Sequence, residues 1–326
     1  MTTTMRAVVV DAPGGPDVLA IKNVPIPAAA QGWVRIKVMA FGLNRSELHF
    51  RSGVAYSGSF PRIPGIEAVG TIDEDLSGTF KVGQQVATMM GGMGREFDGG
   101  YAEFVAVPVA QVIPFKSSLG WDILGAVPEM LQTAFGSIAV GVRPEPGQTI
   151  LIRGGTSSVG LAAAVVAKLR GVTVIATTRS ADRFDLLRSV GVDHPIVDDG
   201  HVAERVREIV SGGADGAIEL IGVNVLRDTL RSVRSGATVC FTGMLSDQWT
   251  IDEFYPLDWL PNGVRLTAYS GEASDLPAHE LQAFLDAVAE GRARVPIGRT
   301  YRLEDIAAAH DDMEAGTVGG KAVVVL

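Results

Sequence analysis

Cysteine is nearly missing from this chain: Cys240 is the only one in 326 residues. A lone thiol excludes an internal disulfide and any zinc site built on several thiolates, and it favours a reducing compartment. Histidine is sparse as well. His49, His194, His201, His279 and His310 are scattered, with no pair at metal-ligand spacing, so no metal is expected. Positive charge is short: 28 Lys and Arg face 37 Asp and Glu, a net charge of −9. That balance argues against a nucleic-acid partner or an acidic membrane surface. Long apolar runs are missing too. Stretches such as Leu161–Ala167 are too short to span a bilayer, and the polar Met1–Thr4 with the short strand-like Met5–Val10 does not read as a signal peptide. The expectation is a soluble, cytoplasmic protein without a membrane partner.

What is present describes an ordered globular chain. Hydrophobic residues make up 47% and charged residues 20%, and the length suits two domains. The first third carries short β-patterns at Arg6–Val10, Val34–Ala40, Ala68–Ile72 and Tyr101–Pro108, separated by turns at Ala12–Pro16, Lys81–Gly83 and Met90–Gly94. Near Trp121 the pattern changes to alternating helix and strand. Helices are expected at Trp121–Gly125, Glu129–Val140, Arg183–Val190, Val202–Val210 and Val225–Ser232. Strands are expected near Pro195–Val197, Gly216–Leu220 and Ala237–Phe241. This alternation implies an α/β fold, a parallel sheet with helices on both faces. His279–Glu290 reads as a further amphipathic helix, and Tyr301–Met313 with the strand Lys321–Leu326 is expected to return to the first domain.

The densest signal is Thr149–Ser180, TILIRGGTSSVGLAAAVVAKLRGVTVIATTRS. A strand at Ile150–Ile152 leads into a glycine-bracketed turn, and an alanine-rich helix to Leu169 is ended by Gly171. A second strand follows at Val172–Ala176. A pyrophosphate needs backbone N–H groups aimed at it and a helix N-terminus behind it. Gly154, Gly155 and Gly160 let the backbone approach closely and the helix pack on the strand. Ser157 stands where the usual pattern has its middle glycine, so its side chain is expected to crowd the diphosphate or to bond a phosphate oxygen. Ser158 and Val159 complete the turn. The strand before it and the helix after it are the context such a motif requires. Past the second strand, Thr178, Arg179 and Ser180 stand where an acid for the ribose hydroxyls is usual, and Arg183 follows four positions after Arg179. Two guanidinium groups can fork one 2′-phosphate, so the expected cofactor is NADPH rather than NADH.

Five further segments occur in order around this unit: Met5-Arg-Ala-Val-Val, Gly42-Leu-Asn-Arg-Ser-Glu-Leu, Pro64–Gly70, Phe97–Phe104 and Gly319–Val325. With the turn, they make nearly the whole chain resemble the zinc-free quinone oxidoreductase branch of the medium-chain dehydrogenase/reductase superfamily. The resemblance implies a GroES-like β-domain at residues 1–121 and 294–326, interrupted by a Rossmann-type doubly wound parallel sheet at 122–293. It also implies an active site in the cleft between them and a homodimer joined through the Rossmann domain. Zinc-binding relatives carry Gly-His-Glu where this chain has Gly65-Ile66-Glu67, and their cysteine ligands would fall near Asn44 and Leu131. Ile66 cannot bind a metal and neither other residue is a thiol, so metal-assisted alcohol oxidation is not expected. Glu67 is expected to remain as a structural carboxylate.

The implied reaction is hydride transfer from NADPH to a quinone or an α,β-unsaturated carbonyl. Charge then develops on the acceptor oxygen and calls for a donor, and a proton must follow. Asn44 is the candidate donor beside nicotinamide and substrate. His49 stands where many relatives have a cleft-facing Tyr and is the candidate proton source. Thr133, the trio Thr242, Gly243 and Met244, the pair Tyr269 and Ser270, and Lys321 are expected around the cofactor, with Tyr56 over the cleft mouth. Asp198 near a 2′-phosphate would repel it and is expected to point away or pair with an arginine. The loop Ser246–Pro261, with Trp249, Phe254, Tyr255 and Trp259, suits a flat or apolar acceptor. Two other readings stand beside this one: an enoyl-thioester reductase docking an acidic carrier on Arg292, Arg294 and Arg299, and a non-catalytic NADPH-binding sensor or scaffold.

Overall fold

A computed structural model describes residues 3–54, 57–248 and 250–326. Tyr56 and Trp249, singled out above, lie outside the described residues. The chain forms two compact units, Met1–Glu129 with Glu272–Leu326, and Met130–Gly271. The first division falls later than the expected break at Trp121, and the second falls well before residue 293. The amphipathic helix Ala278–Ala289 therefore belongs to the first unit. Its Gln282 amide accepts from the Lys116 N–H and donates to the Lys116 carbonyl, at 2.9 Å each, which ties the helix to that unit.

The first unit is built on the strand Trp33–Gly42, whose alternate residues Val34, Ile36 and Val38 turn into the core. It pairs antiparallel with Glu67–Asp75, with Phe104–Pro108 and with the returning strand Lys321–Val325. The last pairing sets Val323 opposite Gly42, so Lys321 comes beside the end of Trp33–Gly42. Phe41 stacks on Tyr101 at 4.5 Å between ring centroids. Ala20–Pro25, Gln85–Met89 and Ile297–Tyr301 are strands that the sequence pattern did not announce. The helix Arg45–Arg51 was missed as well, although Asn44 and Glu47 stand at capping-box spacing. The Glu47 carboxylate accepts from the Asn44 backbone N–H at 2.9 Å.

In the second unit, among the described residues, six parallel strands run in the order His194–Val197, Thr173–Thr178, Thr149–Arg153, Ala214–Glu219, Val233–Phe241 and Arg265–Ala268. This is the doubly wound dinucleotide-fold order, in which strand order reverses between the first and fourth strands in sequence. The expected helix to Val140 is shorter: Pro128–Gly136 is α-helical, and Ser137–Val142 widens into a π-helix that ends at Arg143 with φ of 55°. Among the described residues no helix is long and apolar enough to cross a membrane.

Candidate functional site

The turn after Thr149–Arg153 is set by close packing. A Cβ on Gly160 would lie 2.5 Å from the Gly154 carbonyl oxygen, and one on Gly155 would lie 2.8 Å from the Ala176 Cβ. Glycine at both places lets the helix Ser158–Leu169 seat directly on its strands. Ser157 takes a role that neither expectation named. Its hydroxyl donates to the Gly154 carbonyl at 2.8 Å and accepts from the Gly160 N–H at 3.0 Å, so it is the helix N-cap. The hydroxyl thus closes the turn on itself. An N-cap serine followed by a helix-forming run was the local signal for this. The N–H groups of Thr156, Ser158 and Val159 have no partner among the described residues. Those donors, at the start of a helix of twelve residues, fit an anionic diphosphate.

The end of the next strand carries the expected basic pair. Arg179 and Arg183 are exposed and make no ion pair among the described residues. Ser180 caps the intervening 3-10 turn, its hydroxyl accepting from the Asp182 N–H at 3.3 Å. Thr178 is buried, and its hydroxyl donates to the Ser180 carbonyl at 3.3 Å. Asp198 pairs with an arginine, the buried Arg153, through two bonds of 2.8 Å.

Elsewhere in this unit the polar side chains form linked pairs. Gln132 donates to the Tyr269 hydroxyl at 2.7 Å, and the Thr133 hydroxyl reaches the Gln132 oxygen at 3.3 Å. Ser137 donates to the Thr133 carbonyl at 2.7 Å and lies 2.9 Å from the Thr242 hydroxyl. Thr242, Gly243 and Met244 are half-buried at the end of Val233–Phe241, and Ser270 is exposed. Phe254 and Tyr255 are exposed, while Trp259 packs beside Phe254 at 5.7 Å.

In the first unit, Asn44 and Lys321 join a buried ionic cluster. Lys321 is 1% exposed, and its ammonium lies 2.8 Å from Glu67, 3.7 Å from Glu129 and donates to the Asn44 side-chain Oδ1 at 2.5 Å. The Asn44 amide donates to Glu67 at 2.9 Å and more weakly to Glu47 at 3.4 Å. Burial opposes the charge on Lys321, but Glu67 and Glu129 outweigh it and raise its pKa. Burial pushes the Glu47 carboxyl up to about 7, with the Glu67 charge adding and the Ile66 N–H opposing. Gly42 makes the cluster possible, because a Cβ there would lie 2.3 Å from a Glu67 oxygen. Lys321, expected beside the cofactor, has its ammonium enclosed by carboxylates of the first unit. His49 is half-buried on the helix Arg45–Arg51. The proposed basic docking cluster is weaker than its sequence suggests, since Arg292 pairs with Glu290 and Arg299 with Asp312.

Comparisons with known proteins agree with this fold. Residues 30–117 match the family described as alcohol dehydrogenase GroES-like domain, and residues 158–290 match that described as zinc-binding dehydrogenase. The chain is 30% identical to human quinone oxidoreductase over 339 residues, covering 99% of this chain and 98% of that one. It is 26% identical to a 2-haloacrylate reductase of Burkholderia, over 98% and 99% of the two chains. A mycobacterial protein solved in complex with NADPH superposes with a TM-score of 0.85 at 26% identity, over 99% of this chain and 100% of that one. Among the described residues no three His, Cys, Asp or Glu side chains are grouped so as to hold a metal ion.

Proposed function

We infer the function from one premise: the chain belongs to the quinone oxidoreductase branch of the medium-chain dehydrogenase/reductase superfamily. It is an oxidoreductase of a family that binds a nicotinamide cofactor. We propose that it reduces a quinone or an α,β-unsaturated carbonyl with NADPH and without a metal. The observation that carries this reading is the combination of N–H groups at Thr156, Ser158 and Val159 with Arg179 and Arg183, all without partners among the described residues. The similarity to a 2-haloacrylate reductase favours a conjugated carbonyl acceptor, since a haloacrylate is an α,β-unsaturated acid.

When bound, NADPH supplies the hydride. In this reading the backbone of Gly154–Gly160 would hold the diphosphate, and Arg179 and Arg183 would hold the 2′-phosphate. Thr133, Thr242, Gly243, Met244, Tyr269 and Ser270 border the nicotinamide half. Asn44 offers the acceptor oxygen the N–H that it gives Glu47 at 3.4 Å, its longest bond. His49 supplies the proton. The chain works as a homodimer.

The test is NADPH oxidation by the purified protein against a panel of quinones, enones, 2-haloacrylate and enoyl thioesters. Turnover on quinones or free conjugated carbonyls is expected. Turnover confined to thioesters would favour the thioester reductase, and tight NADPH binding without any turnover would favour a sensor.

A further inference from the structure

The C-terminal ends of two neighbouring strands differ in how their charges are held, with Asp182 beside Arg183 bonded by the Ser180 hydroxyl at 3.0 Å. After Thr173–Thr178 come Arg179 and Arg183, exposed and without ion pairs among the described residues. After His194–Val197 come Asp198 and Asp199, and each is held by an arginine, Asp198 by Arg153 and Asp199 by Arg205. The two strands pair in register with Val197 beside Thr178, and the Asp198 N–H donates to the Thr178 carbonyl at 2.8 Å. Asp198 is therefore a backbone hydrogen bond away from the residue that precedes Arg179. An unopposed carboxylate there would repel any dianion held by the arginines.

Arg153 is fully buried and faces this carboxylate side on. Its Nε and Nη2 donate to the two Asp198 oxygens at 2.8 Å each, and its Nη1 donates to Asp228 at 2.8 Å. Thr177, on the strand beside Arg153, holds the glycine turn: its hydroxyl accepts from the Gly154 N–H at 2.9 Å.

We propose that Arg153 is a positioning residue for cofactor selectivity, one that turns and neutralises Asp198 so that Arg179 and Arg183 meet the 2′-phosphate unopposed. The proposal rests on the NADPH reading above. It differs from a purely structural role, because an arginine that only braced the turn would affect ligands with and without a 2′-phosphate alike.

The experiment measures binding of adenosine 2′,5′-bisphosphate and of AMP by calorimetry, with thermal melting to verify folding. The proteins are the wild type, Arg153→Met, Asp198→Asn and the double variant. Arg153→Met should lower the preference for the 2′-phosphate roughly tenfold, the effect of one partly screened charge. Asp198→Asn, which leaves Arg153 with Asp228, should raise that preference, and the double variant should return it toward wild type. Equal weakening of both ligands by Arg153→Met would overturn the proposal. Should that variant fail to fold, Asp198→Asn decides alone, and an unmoved preference overturns it. A wild type that binds both ligands equally defeats the NADPH reading itself. A wild-type preference that no substitution moves defeats only this inference.

Discussion

The two units treat charge in opposite ways. In the first, Lys321, Glu67, Glu47, Glu129 and Asn44 are folded into one another, and nearly every polar atom of the group is answered from within. In the second, Asp198 and Asp199 are tied down by Arg153 and Arg205, while Arg179, Arg183 and three backbone N–H groups are left without partners among the described residues. A buried ion cluster holds its own structure, and removing one member leaves the rest uncompensated. Unanswered donors at a helix start have no such internal purpose and point to an anion. Apart from Asn44, whose weaker N–H is the proposed donor to the acceptor, the contrast separates residues that hold the fold from residues that await a ligand.

The contrast is broken or sharpened by substitution on each side. Lys321→Met strands Glu67 and Glu129 without their cation and should cost about 3–5 kcal/mol of stability in urea unfolding. A loss below about 1 kcal/mol, typical of an exposed pair, would mean that the cluster is not the keystone described. Arg179→Ala with Arg183→Ala should do the reverse. The melting point should stay near wild type, while the Kd for NADPH rises about a hundredfold and that for NADH barely moves, as expected for losing two charge-assisted bonds. An unchanged NADPH-to-NADH ratio would contradict the clamp.

The third effect is a pH dependence. Glu47 keeps its proton in the folded state up to about pH 7, against an ordinary value of 4.5. Its contribution is therefore complete below pH 4.5 and is lost as pH rises to about 7. The loss reaches about 3 kcal/mol at most. Glu219 in the second unit is raised to about 7 in the same way. Glu47→Gln should flatten part of the fall measured between those pH values, and an unaltered slope would show that Glu47 ionises freely. The smallest effect belongs to Ser157→Ala, which removes a helix cap at a cost of about 1 kcal/mol. NADPH affinity should change only slightly, and a large loss would show that the hydroxyl contacts phosphate after all.

Legibility in the sequence followed the range of each signal. The turn, Arg179 and the strand-helix alternation from Thr149 onward are local patterns, and the structure keeps their order. The helix Arg45–Arg51 was legible in principle, from Asn44 and Glu47, but its few turns carry little apolar periodicity. The ionic cluster was not legible, because Asn44 and Lys321 meet only when the last strand pairs with Trp33–Gly42. Arg153 reads as a strand residue before a turn, and its partners come from later in the chain: Asp198 just after the strand His194–Val197, and Asp228 on the helix Val223–Ser232. Ser157 was read against a glycine pattern, which drew attention from its plainer function as a cap.

The central claim is that the second unit is prepared for a 2′-phosphorylated dinucleotide. Calorimetric titration of the wild-type protein with NADPH and with NADH tests it most directly. At least about tenfold tighter binding of NADPH is predicted, the least expected of an arginine fork on a phosphate. Equal affinity for the two, or tighter binding of NADH, would contradict it.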